Sequence, residues 1–267
     1  VVAENFWGSI VAQLAGPDAT VDSLITNPNT DPHDYEPTPS DARKIASARY
    51  VVENGIGYDT WVAKILDANP AQGRRVLDIG KLLDVPVGGN PHQWYSPTSV
   101  ERVITRVTED LGRLDPRHRA AFERRRADYE GTGLHTYNAL LAQIRQRYEG
   151  TPIGASESIV TPLATALGLR LMTPESYLDA ISEGSDPTAA DKTTADTQIT
   201  TNQIKVFVYN RQNATPDVQR LVDAARAHGI PVTTVSETLE PVSATFQAWQ
   251  VGQLQALARA LESATRR

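Results

Sequence analysis

Two histidines stand in near-matching surroundings, Asp31-Pro32-His33-Asp34-Tyr35-Glu36-Pro37 and Asn90-Pro91-His92-Gln93-Trp94-Tyr95-Ser96-Pro97. Each imidazole follows one proline and precedes another. Proline fixes φ and biases its predecessor toward extended geometry, so both segments read as stiff loops. The chain has only five histidines. Two of them in stiff polar loops suggest one shared ligand, most simply a metal ion. Two carboxylates have a comparable setting: Glu157 follows the strand-like Pro152-Ile153-Gly154-Ala155, and Glu237 follows Pro231-Val232-Thr233-Thr234-Val235. Plainer roles compete for all four. A histidine beside proline can be an ordinary surface residue. Glu157 can sit in the N-cap region of the next helix, where a carboxylate favours the helix dipole. Glu237 and Glu240 can both be solvated loop charge, and Glu237 is preferred because it directly follows its strand. Asp34 and Glu36 read as loop or supporting carboxylates that orient His33 through its other ring nitrogen.

The elements that must deliver these residues alternate. A helix is expected over 4–15, a first strand over 19–27, a helix from a Thr38-Pro39-Ser40-Asp41 cap to about residue 48, a strand at 50–52, a helix over 58–68 and a strand at 75–79. Next comes a helix over 97–114, opened by Ser96-Pro97, with Val100, Val103, Ile104, Val107 and Leu111 on one face. A second helical stretch runs from 116 to about 148; as one helix it would be about 50 Å long. Gly131 and Gly133 predict a bend or break in it. After Gly150 the alternation returns, with strands at 152–155, 169–172, 205–209 and 231–235. Residues 182–197 read as a mobile loop passing into a polar helix, and 243–264 as an amphipathic closing helix. The expected fold is α/β: two parallel-sheet α/β lobes joined by a long helical connector, with a metal site in the interlobe cleft. The boundaries are 1–114 for the N-terminal lobe, 115–149 for the connecting helix and 150–267 for the C-terminal lobe.

Composition narrows the function classes. The 267 residues, 40% hydrophobic, suffice for two modest domains or one large one. A net charge of −6 argues against nucleic acid and mildly favours a cationic ligand. With no cysteine, disulfides and thiolate metal sites are excluded. No run approaches the ~20 apolar residues of a membrane-spanning helix. Because the chain begins at Val1, a preceding segment such as a signal peptide is expected.

The two Pro-His motifs, with Ala155-Ser156-Glu157, Val208-Tyr209-Asn210 and Val235-Ser236-Glu237-Thr238-Leu239, make the chain resemble the cluster 9 substrate-binding proteins of ABC transporters for zinc and manganese. The resemblance covers essentially the whole chain in order. It implies one transported divalent metal ion, Zn2+ or Mn2+, held between the lobes by His33, His92, Glu157 and Glu237, with no catalytic residues. It further implies an extracytoplasmic protein, periplasmic or anchored at the cell surface as a lipoprotein, that works as a monomer with a membrane permease. The long histidine-rich loop of many zinc-specific members is absent; Val85-Pro86-Val87-Gly88-Gly89-Asn90 stands in its place. Two imidazoles and two carboxylates suit zinc if the carboxylates bind through one oxygen each, and manganese if they chelate. The alternative function is a mononuclear metallohydrolase with a His/carboxylate site. No His-Glu-x-x-His run or serine nucleophile elbow supports it.

Overall fold

The computed structural model describes residues 1–28, 30 and 32–265. The protein consists of two parallel-sheet α/β lobes. The chain divides into two compact units: Val1–His135 with Thr238–Gln247, and Thr136–Glu237 with Ala248–Arg267.

The first sheet contains β1 (Val2–Glu4), β2 (Ser23–Ile25), β3 (Tyr50–Glu53) and β4 (Arg75–Asp78), all parallel in the order β2-β1-β3-β4. The interior strand β1 is a correction to the sequence reading, which opened the fold with a helix at residue 4. Three residues are too few to display a period-2 pattern, and an ionisable residue type at Glu4 hides that the whole strand is buried. Behind it runs the helix Asn5–Ala15, whose Phe6, Trp7, Ile10, Val11 and Leu14 are almost fully buried. Each such side chain contributes about 1.5–3 kcal/mol by leaving water. The helix lies so close to β2 that a Cβ at Gly8 would collide with Ser23 Oγ.

Caps form where the local sequence calls for them. Thr38 and Asp41 make a reciprocal capping box on the helix Pro39–Ser47. Ser96 Oγ accepts from the Ser99 amide to start the helix Pro97–Leu114, which buries the expected apolar face. Residues 116–148 are not one helix. They form a turn at Pro116–His118, a helix Arg119–Asp128, a π-type turn Tyr129–Gly133 and a helix His135–Tyr148. The break holds both glycines and is closed by the Leu134 amide donating to Tyr129 O at 2.8 Å.

The second sheet contains β5 (Pro152–Ala155), β6 (Arg170–Leu171), β7 (Val206–Asn210) and β8 (Val232–Val235), again parallel in the order β6-β5-β7-β8. Between β6 and β7 the expected loop passing into a polar helix is present, with irregular residues 183–188 leading into the helix, and one further helix precedes it. A helix Glu175–Ser182 buries Tyr177, Leu178 and Ile181, and a polar helix Ala189–Thr200 follows a Thr188 cap. The final helix is Phe246–Thr265. Among the described residues no helix is long and apolar enough to cross a membrane.

Candidate metal centre

In the first unit both loop histidines come together. His33 lies in the short turn Pro32–Asp34, and the fully buried His92 immediately precedes the turn Gln93–Tyr95. Their ring centres are 5.6 Å apart, and a ligand nitrogen of one lies within 4.8 Å of one on the other. A metal bound ~2 Å from an imidazole nitrogen sits about 3 Å from the ring centre, so this separation suits a shared ion.

Each histidine has a rigid mount. Tyr35 donates to Asp41 Oδ2 at 2.8 Å, tying the His33 turn to the capping box. Burial, and then the bond to Asp41, push the Tyr35 phenol up to about 12, so it stays a donor. The Tyr58 ring meets His33 edge-on at 4.6 Å. Glu36 is exposed; Asp31 and the side chain of Asp34 lie outside the described residues. Trp94 stacks 3.9 Å from Phe6 and stands 5.2 Å from the His92 ring, so one residue packs the core and backs the imidazole.

Asn90 determines which His92 nitrogen can ligate. Its Oδ1 accepts from the His92 amide at 3.0 Å and lies 2.9 Å from His92 Nδ1. A backbone N–H can only donate, so this atom is the amide oxygen, and Nδ1 must carry the proton that faces it. The lone pair of His92 is therefore on Nε2. The loop itself hangs from Asn54: Nδ2 donates to Pro91 O at 3.0 Å, while Oδ1 accepts from Trp7 Nε1 at 2.9 Å.

In the second unit the two carboxylates each stand two residues beyond a strand, Glu157 after β5 and Glu237 after β8. Glu157 is 1% and Glu237 2% exposed. Glu157 does stand at the N-cap position of the turn Ser158–Val160, but its side chain makes no capping bond there. Instead Glu157 Oε2 accepts from Asn213 Nδ2 at 2.8 Å, and Glu237 Oε1 accepts from Asn210 Nδ2 at 3.1 Å. Asn210 is fully buried at the end of β7, with its backbone amide donating to Ser156 Oγ at 3.0 Å. In the sequence, Asn90 and Asn210 stand within the motifs with no role assigned, Asn54 with Gly55 marks only the end of the strand at 50–52, and Asn213 has no assigned role. An asparagine next to a candidate ligand or at a strand end was the available signal.

A second buried acidic group, in the first unit, was also missed. Glu4 is 0%, Asp59 1% and Glu53 7% exposed. Burial above all, then the neighbouring Asp59 charge, push the Glu4 carboxyl far up. Burial raises Asp59 too, against the neighbouring Glu4 carboxyl and against the Asn54 and Gly55 amides, which donate to it at 2.6 and 2.8 Å. The proton of the pair belongs on Glu4, because Asp59 holds the two amide donors that favour a carboxylate. Burial, then Asp59 and Asp78, raise Glu53 to about 7.

The family model for the zinc-uptake complex component A, periplasmic, matches residues 1–260. The chain is similar to the iron-binding protein YfeA of Yersinia pestis, 31% identical over 54% of this chain and 46% of that protein. It is 26% identical to the zinc-binding lipoprotein AdcA of Streptococcus pneumoniae over 76% of this chain and 42% of AdcA. The chain thus matches less than half the length of these two relatives. The high-affinity zinc uptake system protein ZnuA of Bacillus subtilis is 23% identical over 94% of this chain and 81% of its own. Among solved structures, the Mn-bound periplasmic metal binding protein of Candidatus Liberibacter asiaticus superposes with a TM-score of 0.78 at 19% identity, covering 97% of this chain and 98% of that one. A crystal structure of ZnuA gives 0.76 at 22% identity, with 97% of each chain covered. These two likenesses establish the fold.

Proposed function

Since the chain belongs to the family of periplasmic zinc-uptake components A, we propose that it captures one divalent transition-metal ion, zinc or manganese, outside the cytoplasm and hands it to the permease of an ABC transporter. The ligands are His33 and His92 from one lobe and Glu157 and Glu237 from the other. The observation that carries the reading is the pair of imidazoles in the first unit, 5.6 Å apart, with the Asn90 amide reserving His92 Nε2 for a ligand.

The donor set suits such a cargo. Imidazole favours borderline metals, and two carboxylates neutralise a divalent charge, offsetting the cost of taking it out of water. The protein acts as a carrier and a monomer: the ion is held and released, with no chemistry performed on another substrate. Nothing in the geometry favours the metallohydrolase alternative over this reading.

Binding that draws on both lobes raises stability by RT ln(1 + [L]/Kd). The test is thermal denaturation with calorimetric titration of chelator-treated protein. Chelation lowers the Tm, and zinc or manganese restores it. An apo protein whose Tm ignores both ions, or His33→Ala and His92→Ala variants that bind them as well as the parent, would sink the reading.

A further inference from the structure

We propose that Asn210 and Asn213 set the metal preference, by holding Glu237 and Glu157 so that each meets the ion through a single oxygen and the site takes a four-coordinate, zinc-type cation. The proposal rests on the four-ligand reading above and adds the geometry of the bound ion.

Both asparagines have their amide orientation decided by backbone groups. Asn210 Oδ1 accepts from the Gln212 amide at 3.0 Å, so the NH2 end is the one that faces Glu237 Oε1. Asn213 Nδ2 donates to the carbonyl of Ile181 at 3.2 Å, so the other proton of the same NH2 is the one on Glu157 Oε2. Neither amide can flip without setting an oxygen against a carbonyl, or an NH2 against an N–H. Each carboxylate therefore has one oxygen committed to a fixed N–H donor. Chelation would bring both oxygens onto one ion, so the oxygen that accepts from the amide would have to serve the N–H and the ion at once, and the amide, fixed by its own backbone bond, resists the turn of the carboxylate that this needs.

Two imidazole nitrogens and two single oxygens make four donors, the tetrahedral set of a closed zinc site. Manganese favours more oxygen donors, which these residues could supply only by chelating. The short loop 85–90, without a histidine-rich insertion, leaves the preference to the site itself.

Cobalt(II) is the probe, because its visible d–d absorption is intense in a tetrahedral field and weak at five or six coordination. The cobalt-loaded wild-type protein should show the intense bands. Asn210→Ala with Asn213→Ala should weaken them and lower the zinc-over-manganese affinity ratio by on the order of tenfold. Weak bands in the wild type overturn the proposal, and this spectrum needs no variant to fold. Folded variants with unchanged bands and an unchanged ratio overturn it as well, even if both metals bind more weakly, since the amides would then be structural only. His92→Ala separates the two layers of argument. If cobalt still binds that variant as tightly as the wild type, the ligand set is wrong and the proposal falls with it. If binding is lost there but the wild-type bands are weak, only the role of the asparagines is overturned.

Discussion

The two sheets place a buried glutamate and a buried asparagine at the same address and treat them differently. In the first sheet Val2 pairs with Val52, and two residues on stand Glu4 and Asn54. In the second Ala155 pairs with Val208, and two residues on stand Glu157 and Asn210. Glu4 is thus the positional counterpart of Glu157, and Asn54 of Asn210. Yet Glu4 is neutralised against Asp59, while Glu157 accepts from the Asn213 amide. Asn54 spends its amide on Pro91 O and Trp7, carrying the His92 loop, whereas Asn210 spends its own on a carboxylate. The lesson is that a strand end supplies the place and its hydrogen-bond partner decides the chemistry. A carboxyl facing a carboxylate has its proton held on by that charge, whereas an N–H opposite a carboxyl favours its ionised form.

The comparison breaks most visibly in metal affinity. Glu157→Gln and Glu237→Gln should each weaken zinc binding beyond the ~100-fold typical of losing an outer partner, measured by competition with a chromophoric chelator. Glu4→Gln should leave that affinity unchanged. Equal losses from Glu4→Gln and Glu157→Gln would erase the distinction.

Asn54→Ala tests the other half. It leaves the Trp7 indole N–H and the Pro91 carbonyl without their buried partner, at a cost of about 2–3 kcal/mol in denaturant unfolding of the apo protein. Zinc affinity should fall as well, because the His92 loop loses its anchor. A stable variant with normal affinity would show that the Pro91 bond carries nothing.

Glu53→Gln sharpens the acidic side of the comparison. Burial with Asp59 and Asp78 raises this carboxyl to about 7, from an ordinary value of 4.5. Across that window the folded state keeps a proton the unfolded state has lost. Its stabilising contribution is therefore full below the lower value, falls as pH rises, and is gone above the upper one. The variant should match the parent near about pH 4 and exceed it by on the order of 2 kcal/mol near about pH 8. Glu4→Gln should shift stability the same way. A gain that is equally large in acid would rule out proton linkage as the cause.

The smallest effect concerns the histidines of the site. Zinc affinity of the wild type should decline below about pH 6 as they take up protons that compete with the ion. A titration flat down to about pH 5 would place the ion elsewhere.

Much of this was legible along the chain, and what was legible is local. The Pro-His motifs announced stiff loops because proline acts on its own dihedral and its neighbour's. Thr38-Pro39-Ser40-Asp41 and Ser96-Pro97 announced helix starts because a cap bonds two or three residues away. Gly131 and Gly133 marked the break that became a π-type turn. Strand β1 was illegible, since three buried residues ending in glutamate carry no period.

The sequence by itself determined the four candidate ligand types, the alternation that makes two parallel-sheet lobes, and the loops that stiffen two histidines. Only the tertiary structure decided what each group answers to. It set Asn210 against Glu237 across 27 residues, Asn213 against Glu157 across 56, and Trp7 against Asn54 across 47. Asn210 meets Glu237 because parallel register sets the end of β7 beside the end of β8, while Asn213 and Trp7 reach their partners from the loop after β7 and from the helix Asn5–Ala15. Inside a low-dielectric interior the nearest donor or acid then biases whether a carboxyl carries a proton or a charge.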